Sequence, residues 1–260
     1  VGLGRGLLAS MLAAIVLAAR REPLPRRTDW PVFFRVALGI TIGFPILTAI
    51  ALRHLPSTHG AVVSGLQPAL TAVFAALRAG EHPPRRFWGA VAFGMIAVLA
   101  FASVQGAGLP QWWDLLLFLA MAASSFGHVE AARLARQIGG WRVISWTLIC
   151  AAPLLAGPVI VGVAERAGSI SLQAWLALIC LAAFPAYLGF FPWYRGMTLA
   201  GIARVGQLQL VQPVLSFGWA ILLLGERIDA WTALTSAAVI ASVWLSRRAW
   251  RPPSPEPEPA

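Results

Sequence analysis

The sequence predicts an all-α integral membrane protein built from two repeated halves. Hydrophobic residues make up 58% of its 260 residues and charged residues only 12%, a balance that excludes an ordinary soluble domain. The apolar segments are about 20 residues long, enough for a helix to cross a hydrocarbon core of roughly 30 Å. A motif centred on one proline also recurs 145 positions later, which indicates an internal duplication.

Nine apolar segments are predicted to form membrane-spanning helices. They cover residues 5–21, 31–53, 60–78, 87–104, 112–135, 143–163, 172–196, 205–224 and 231–247. Turn-forming residues such as Pro83-Pro84 and Gly139-Gly140 separate them. Tryptophans gather at the predicted helix ends, as in the aromatic belts at membrane interfaces.

The recurring motif has the form Gln-Pro followed by Gly-Glu. Gln67-Pro68 and Gly80-Glu81 correspond to Gln212-Pro213 and Gly225-Glu226. Seven of the fifteen residues from 67 to 81 are identical at this offset. A duplicated polar motif inside apolar helices is typical of secondary transporters.

Polar residues around each Gln-Pro pair are predicted to share one face of their helix. The spacing is i, i+3, i+7, which brings side chains to one side of an α-helix. The two aligned trios are Ser64, Gln67 and Thr71 in the first half, and Gln209, Gln212 and Ser216 in the second half.

The position of the motif predicts units of five helices. Three predicted spans precede the second motif and one follows it, whereas only two spans precede the first motif. We therefore expect a protein of ten helices, of which nine are present here and the first is missing. Units with an odd number of helices lie in opposite orientations, which makes this an inverted repeat. The expected units are residues 1–107, lacking the first helix, and residues 112–250.

Arginine positions predict the orientation in the membrane. All 20 basic residues are arginine, and sixteen of them fall on one side if the 22–30 loop is cytoplasmic. The other side has Arg5, Arg53, Arg166 and Arg227. The positive-inside rule then places the C-terminus in the cytoplasm. Residues 251–260, rich in proline and glutamate, are expected to form a disordered cytoplasmic tail.

The two motif prolines are predicted near the middle of their spans. There Pro68 and Pro213 would free the carbonyls of Ser64 and Gln209, and a free carbonyl at bilayer depth needs a protein, water or ligand partner. Two interpretations are open. The prolines either form packing kinks, or they act as gating kinks beside a midplane cavity lined by Gln67 and Gln212. Their repetition favours the cavity.

Three further residues are candidates for the substrate path. His128 and Glu130 lie within one apolar segment, where they either line the path or exchange protons. Alternatively, Glu130 pairs with Arg133 one helical turn away. Tyr187, in a proline-broken segment, is predicted to line the cavity, because an aromatic ring with a hydroxyl suits a small amphipathic molecule.

Several function classes are excluded or disfavoured by the sequence. No catalytic or nucleotide-binding motif is found, so no cofactor and no metal is expected. Cys150 and Cys180 lack metal-ligand or redox spacing. The arginines cluster at helix ends instead of forming one stripe, which argues against nucleic acid as a partner. The expected partners are the lipid bilayer and a small-molecule substrate, with a proton or another solute as coupling species.

The chain resembles the EamA-type carriers of the drug/metabolite transporter superfamily. The resemblance extends from Val1 to about Trp250. It rests on Arg5-Gly6, Gln67-Pro68 with Gly80-Glu81-His82, Arg195-Gly196-Met197, and Gln212-Pro213 with Gly225-Glu226-Arg227. It implies ten helices, cytoplasmic termini and a central cavity between the repeats. It further implies export of a small metabolite, amino acid or drug across the bacterial inner membrane by alternating access.

The main alternative is an integral-membrane enzyme acting on a lipid-borne substrate. It would use His128 and Glu130 as an acid/base pair, and it would not depend on Gln67. A carrier, in contrast, would need both Gln-Pro sites. A membrane scaffold without transport activity is a third, weaker alternative.

Overall fold

The computed structural model describes residues 2–55, 63–104, 111–164, 171–212, 215, 219, 222 and 230–250. Within these residues the secondary structure consists of helices and turns. A helix satisfies its own backbone hydrogen bonds, which is why an apolar chain in a membrane folds this way. Pro213, Glu226 and the predicted tail at 251–260 lie outside the described residues.

Helices of the first half begin near the N-terminus and end before residue 105. They are α1 (Gly2–Ala19), α2 (Trp30–Val36), a π-helical segment (Ala37–Gly43), α3 (Phe44–Ala51), α4 (Gln67–Ala79) and α5 (Arg85–Val104). The π-helical segment joins α2 to α3, so Trp30–Ala51 is one continuous apolar stretch.

Helices of the second half follow the same order after one additional helix. They are α6 (Asp114–Ile138), α7 (Gly140–Ala164), α8 (Leu172–Ala183), a π-helical segment (Phe184–Leu188), α9 (Phe190–Ala200), α10 (Ile202–Gly206), a 3₁₀ turn (Gln207–Leu210) and α11 (Ala230–Ala249).

Five stretches of the described residues are long and apolar enough to cross a membrane. They are Gly2–Ala19, Trp30–Ala51, Asp114–Ile138, Gly140–Gly162 and Leu172–Ala200. Each overlaps a segment predicted from the sequence. The prediction of an all-α membrane fold with two repeated halves is therefore confirmed.

Helix pairing follows the repeat. A shift of 145 residues places α1 on the second part of α7 and places α5 on α11. These two pairs, α1 with α7 and α5 with α11, make the most extensive contacts among the described helices. Each helix of a pair is thus the counterpart of its neighbour in the other half.

The π-helical segments also correspond between the halves. Shifting Phe184–Leu188 back by 145 residues places it on residues 39–43, the end of the first π-helical segment. A π turn adds one residue to the helix, and such turns are frequent at functional sites. The same irregularity at the same repeat position indicates that it belongs to the architecture of the fold.

Helix α6 lies in the middle of the bundle. In its most apolar stretch 61% of the residues are buried, against 11% for the stretch Leu172–Ala200. It contacts α2, α3, α4, α7 and α9. Gly39 allows the closest approach, because a Cβ atom there would lie 2.5 Å from the Ala123 carbonyl oxygen. Polar residues on α6 are therefore presented to several helices at once.

Candidate functional site

The helix is interrupted immediately before the first Gln-Pro pair. Residues 65 and 66 form a turn, and α4 begins at Gln67 with Pro68 in its first turn. The predicted span 60–78 is therefore not one continuous helix, and Pro68 is not a mid-helix kink. Proline is tolerated in the first turn because the amide that it lacks has no partner there. Ser64 precedes the break and is exposed, so it does not share a helical face with Gln67.

Gln67 connects α4 to the central helix. Its side-chain amide donates a hydrogen bond to Ser124 Oγ (3.1 Å). Its backbone carbonyl accepts hydrogen bonds from Ser125 Oγ (3.2 Å) and Thr71 Oγ1 (2.9 Å). The prediction named the carbonyl of Ser64, whereas these hydroxyl groups bind the carbonyl of Gln67.

Gln207 of the second half contacts the same region. Its side chain is fully buried, and its Nε2 donates to the backbone carbonyl of Pro68 (3.1 Å). Gly206 permits this contact, since a Cβ atom there would lie 2.8 Å from Thr71 Cγ2. The structure places Gln207 between the two halves, beside the first Gln-Pro pair.

Gln212 and Gln209 occupy different environments. Gln212 follows the 3₁₀ turn at an exposed position, and Gln209 lies within the turn and is partly buried. The predicted lining of one cavity by Gln67 and Gln212 is therefore not visible in this conformation. The 3₁₀ turn precedes the second Gln-Pro pair much as the turn at 65–66 precedes the first.

A group of buried polar atoms has no hydrogen-bond partner among the described residues. It consists of Nδ1 of His128, Nε1 of Trp193, the hydroxyl of Tyr194, and Oε1 of both Gln207 and Gln209. Leaving a polar group buried without a partner costs on the order of 1–3 kcal/mol, so such groups normally bind water or a ligand. Ring contacts join His128 to Trp193 and Tyr194, and the two glutamines are grouped with them because their amide oxygens are likewise without a partner. We call these five residues the central polar cluster.

Aromatic rings surround His128 within this cluster. The ring centroid of His128 lies 5.8 Å from that of Phe190, 6.2 Å from that of Trp193 and 6.1 Å from that of Tyr194. These aromatic residues come from α9, directly after the second π-helical segment. The side chain of Tyr194 is fully buried.

Tyr187 has a structural role in this conformation. Its side chain is buried, and its hydroxyl forms a hydrogen bond of 2.8 Å with Ser145 Oγ on α7. The hydroxyl is therefore already satisfied, and it is Tyr194, about two turns further along, that presents an unpartnered hydroxyl.

Glu130 points away from His128. Its carboxylate is bound by Arg133 (2.8 Å), Arg78 (3.0 Å) and Arg35 (3.3 Å). Two residues along a helix correspond to a rotation of about 200°. In this conformation His128 faces the aromatic rings while Glu130 faces arginines, so they form no acid/base pair. The pairing of Glu130 with Arg133 is confirmed, together with two further partners that the sequence did not indicate.

The Gly-Glu part of the motif joins the two halves. Gly80 ends α4 with a φ of 65°, a left-handed conformation that favours glycine. Glu81 then accepts hydrogen bonds from the backbone amides of Ile202 (2.7 Å) and Ala203 (2.9 Å) at the start of α10. Arg136 donates to the same carboxylate at 3.1 Å. Glu81 is thus a buried cap on a helix of the other half.

Metal binding has no candidate site in the part of the chain that the structure describes. No group of three or more histidine, cysteine or acidic side chains lies close enough there to hold an ion.

Comparisons with known proteins agree with this architecture. The model of the EamA-like transporter family matches residues 1–103 and again residues 111–248. The uncharacterized transporter YdeK of Bacillus subtilis is 38% identical over 94% of this chain and 85% of its own length. The aromatic amino acid exporter YddG of Ancylobacter novellus is 25% identical over 83% of this chain and 73% of its own length.

A solved crystal structure also shares the fold. It superposes with a TM-score of 0.76 at 21% sequence identity, covering 94% of this chain and 86% of the other. The family match covers both halves of the chain, and the similarity to YdeK extends over nearly all of it. The chain therefore belongs to the EamA-like transporter family of the drug/metabolite transporter superfamily, and it is a multi-pass membrane transporter of a small molecule.

Proposed function

We propose that this transporter exports a small amphipathic metabolite, such as an aromatic amino acid or a drug-like molecule, across the bacterial inner membrane. Transport would be secondary and would proceed by alternating access of two inverted units, residues 1–107 and 112–250. The C-terminus would lie in the cytoplasm. A proton or another solute would be the coupling species.

The observation that carries the proposal is the central polar cluster. It contains hydrogen-bond donors on Trp193 and Tyr194 and hydrogen-bond acceptors on Gln207 and Gln209. The aromatic ring of Phe190 lies beside His128. Such a set of groups matches a molecule that has a flat apolar part and a few polar groups. The name of the relative YddG, an aromatic amino acid exporter, agrees with this substrate class.

The location of the cluster supports transport by alternating access. All members of the central polar cluster belong to the second half, and Gln207 also contacts Pro68 of the first half. Relative movement of the halves would therefore change the partner of Gln207. Breaks in the helices before both Gln-Pro pairs provide discontinuous segments of the kind that form binding sites in carriers.

The enzyme alternative is disfavoured by the orientation of His128 and Glu130. Three arginines engage the carboxylate of Glu130, and no described contact joins it to His128. A general acid or base must lie within hydrogen-bond reach of the group that it serves.

Transport by cells that express single variants tests the proposal. We expect release of aromatic amino acids into the medium to rise with the wild type. His128→Ala and Gln207→Ala should each reduce this release by about twofold to tenfold, because each removes one hydrogen bond to the substrate. Gln111→Ala, an exposed position before α6, is the control at equal membrane level.

Two results would contradict the proposal. If both variants release as much as the wild type, the central polar cluster is not the substrate site. If His128→Ala abolishes a chemical change in a membrane lipid while Gln67→Ala and Gln207→Ala leave it unchanged, the protein is an enzyme.

A further inference from the structure

A second polar site lies apart from the central polar cluster, around the buried carboxylate of Glu130. Arg35 from α2, Arg78 from α4 and Arg133 from α6 converge on it at 3.3, 3.0 and 2.8 Å. Glu130 is only 1% exposed, whereas the three arginine side chains remain 42–43% exposed. Each guanidinium therefore uses one edge for Glu130 and keeps another edge accessible.

The three arginines carry more positive charge and more N–H donors than the carboxylate of Glu130 can pair with. Each guanidinium carries five N–H donors, and a carboxylate offers roughly four acceptor positions. Arg136 lines the same cavity but is already paired with Glu81, and Asp29 is the remaining acidic side chain at its rim. Three guanidiniums thus face two carboxylates, which leaves an excess of positive charge and of unused donors.

These donors open into a cavity large enough for a polar headgroup. Its volume is about 610 Å³, and it lies between the residues preceding α2, the end of α4 and the end of α6. Thr28 and Gln137 contribute further hydrogen-bonding groups to its wall. Trp30 at the start of α2 indicates that this level corresponds to a membrane interface. Positive-inside topology assigns the interface to the cytoplasmic leaflet.

We infer that this cavity binds the phosphate group of an anionic phospholipid headgroup. Planar guanidiniums match phosphate oxygens in geometry and charge, and basic pockets between membrane helices are typical sites for anionic lipid headgroups. Inorganic phosphate presents the same chemistry from solution, and the experiment below separates the two sources. This inference goes beyond the proposed transport function and does not depend on the identity of the cargo.

Native mass spectrometry of the purified full chain in detergent tests the inference. We expect phosphatidylglycerol to remain bound more tightly than phosphatidylethanolamine. Arg35→Gln should weaken phosphatidylglycerol binding about fivefold, the contribution of one basic residue near an anionic lipid. Arg35 makes the longest contact to Glu130, so Arg78 and Arg133 still hold the carboxylate in this variant. Arg53→Gln, at the end of α3 on the opposite side of the bundle, is the matched control and should leave binding unchanged.

Glu130→Gln should change the affinity for phosphatidylglycerol in the opposite direction to Arg35→Gln. Removing the internal anion should raise the affinity for phosphatidylglycerol several-fold, whereas a purely structural ion network predicts no gain. Should this variant fail to fold, the comparison of Arg35→Gln with Arg53→Gln decides the question alone.

Three results would overturn the inference. One is equal binding of the two lipids. The second is equal loss in Arg35→Gln and Arg53→Gln, which would reveal a general charge effect. The third is displacement of phosphatidylglycerol by inorganic phosphate but not by chloride at the same ionic strength, which would assign the site to a free anion instead of a lipid.

Discussion

At the scale of single residues, two tyrosines about two helical turns apart have different roles because their local contacts differ. Tyr187 and Tyr194 are both buried and both lie near the second π-helical segment. The hydroxyl of Tyr187 is bound to Ser145, whereas the hydroxyl of Tyr194 has no partner among the described residues. A satisfied hydroxyl stabilises the fold, and an unsatisfied one is available to a substrate.

Phenylalanine substitutions separate these roles. We expect Tyr187→Phe to lower the free energy of unfolding by about 1 kcal/mol, the usual net contribution of one hydrogen bond, with the transport KM unchanged. Tyr194→Phe should keep the stability and raise the KM by about twofold to tenfold. Thermal unfolding in detergent and transport kinetics measure the two effects. A higher KM in Tyr187→Phe instead would restore Tyr187 as a substrate residue.

At the scale of helices, close packing on α6 depends on small residues. The Gly39-x-x-x-Gly43 pattern allows α2 and its π-helical extension to approach α6. A Cβ atom on Gly39 would lie 2.5 Å from the Ala123 carbonyl oxygen, and backbone atoms move aside only at a cost. Gly127 on the facing helix is similarly close to Ile40, with 2.8 Å from its added Cβ to Ile40 Cγ1.

Alanine at Gly39 tests this packing. We expect Gly39→Ala to destabilise the protein by about 1–3 kcal/mol, because the added methyl group overpacks the contact. The control is Gly157→Ala in α7, where nothing lies within 4 Å of the added Cβ. That variant should be neutral or more stable, by up to about 1 kcal/mol, since alanine favours helix. Equal effects on thermal unfolding in the two variants would contradict the proposed close approach.

At the scale of the whole molecule, Glu81 connects the two halves. Glu81 follows the end of α4 in the first half, and its carboxylate caps the start of α10 in the second half. Arg136 of α6 forms a salt bridge with the same carboxylate. Hydrogen bonds to a charged group contribute about 1.5–3 kcal/mol each, so this single side chain stabilises the described arrangement of the halves. Its position beside Arg78 and Arg136 places it near the predicted cytoplasmic face.

Neutralising Glu81 should shift the balance between conformations. We expect Glu81→Gln to increase by about tenfold the reaction of a cysteine placed at Ser125 with a membrane-impermeant maleimide, in a background where Cys150 and Cys180 are alanine. Loss of one charged hydrogen-bond acceptor, on the order of 1.4 kcal/mol, would produce that factor.

The control for this measurement is Asp114→Asn. Asp114 lies at the start of α6, the opposite end of the helix from Arg136, so its neutralisation should leave labelling unchanged. Unchanged labelling in Glu81→Gln would show that this carboxylate supports the fold without controlling access.

Much of the architecture was predictable because it follows from properties that act along the chain. Apolar length sets the number of candidate spans, the 145-residue repeat reveals the duplication, and glycine at position 80 predicts the end of α4. Gln67 and His128 were also recognisable as candidates, since polar residues are costly inside a membrane and are therefore informative.

The positions of the helix breaks depend on packing and could not be predicted from the sequence pattern. Pro153 and Pro158 stay inside α7, whereas the chain turns at residues 65–66 just before Pro68. The residue type is the same in all three places, so proline alone does not distinguish an interior kink from the first turn of a new helix. Neighbouring helices decide, because they supply or withhold partners for the freed carbonyls.

The sequence by itself thus determined the membrane-embedded class, the repeated halves and the family. Only the tertiary structure decided that Glu130 gathers three arginines, that Gln207 contacts Pro68, and that Glu81 caps α10. Apart from the contact of Glu130 with Arg133 on the same helix, these contacts join residues 52 to 139 positions apart, and their partners are ordinary arginines, carbonyls and amides. Their physical reason is the low-dielectric interior of the bundle, where a buried charge or amide is costly without a partner, whichever part of the chain supplies that partner.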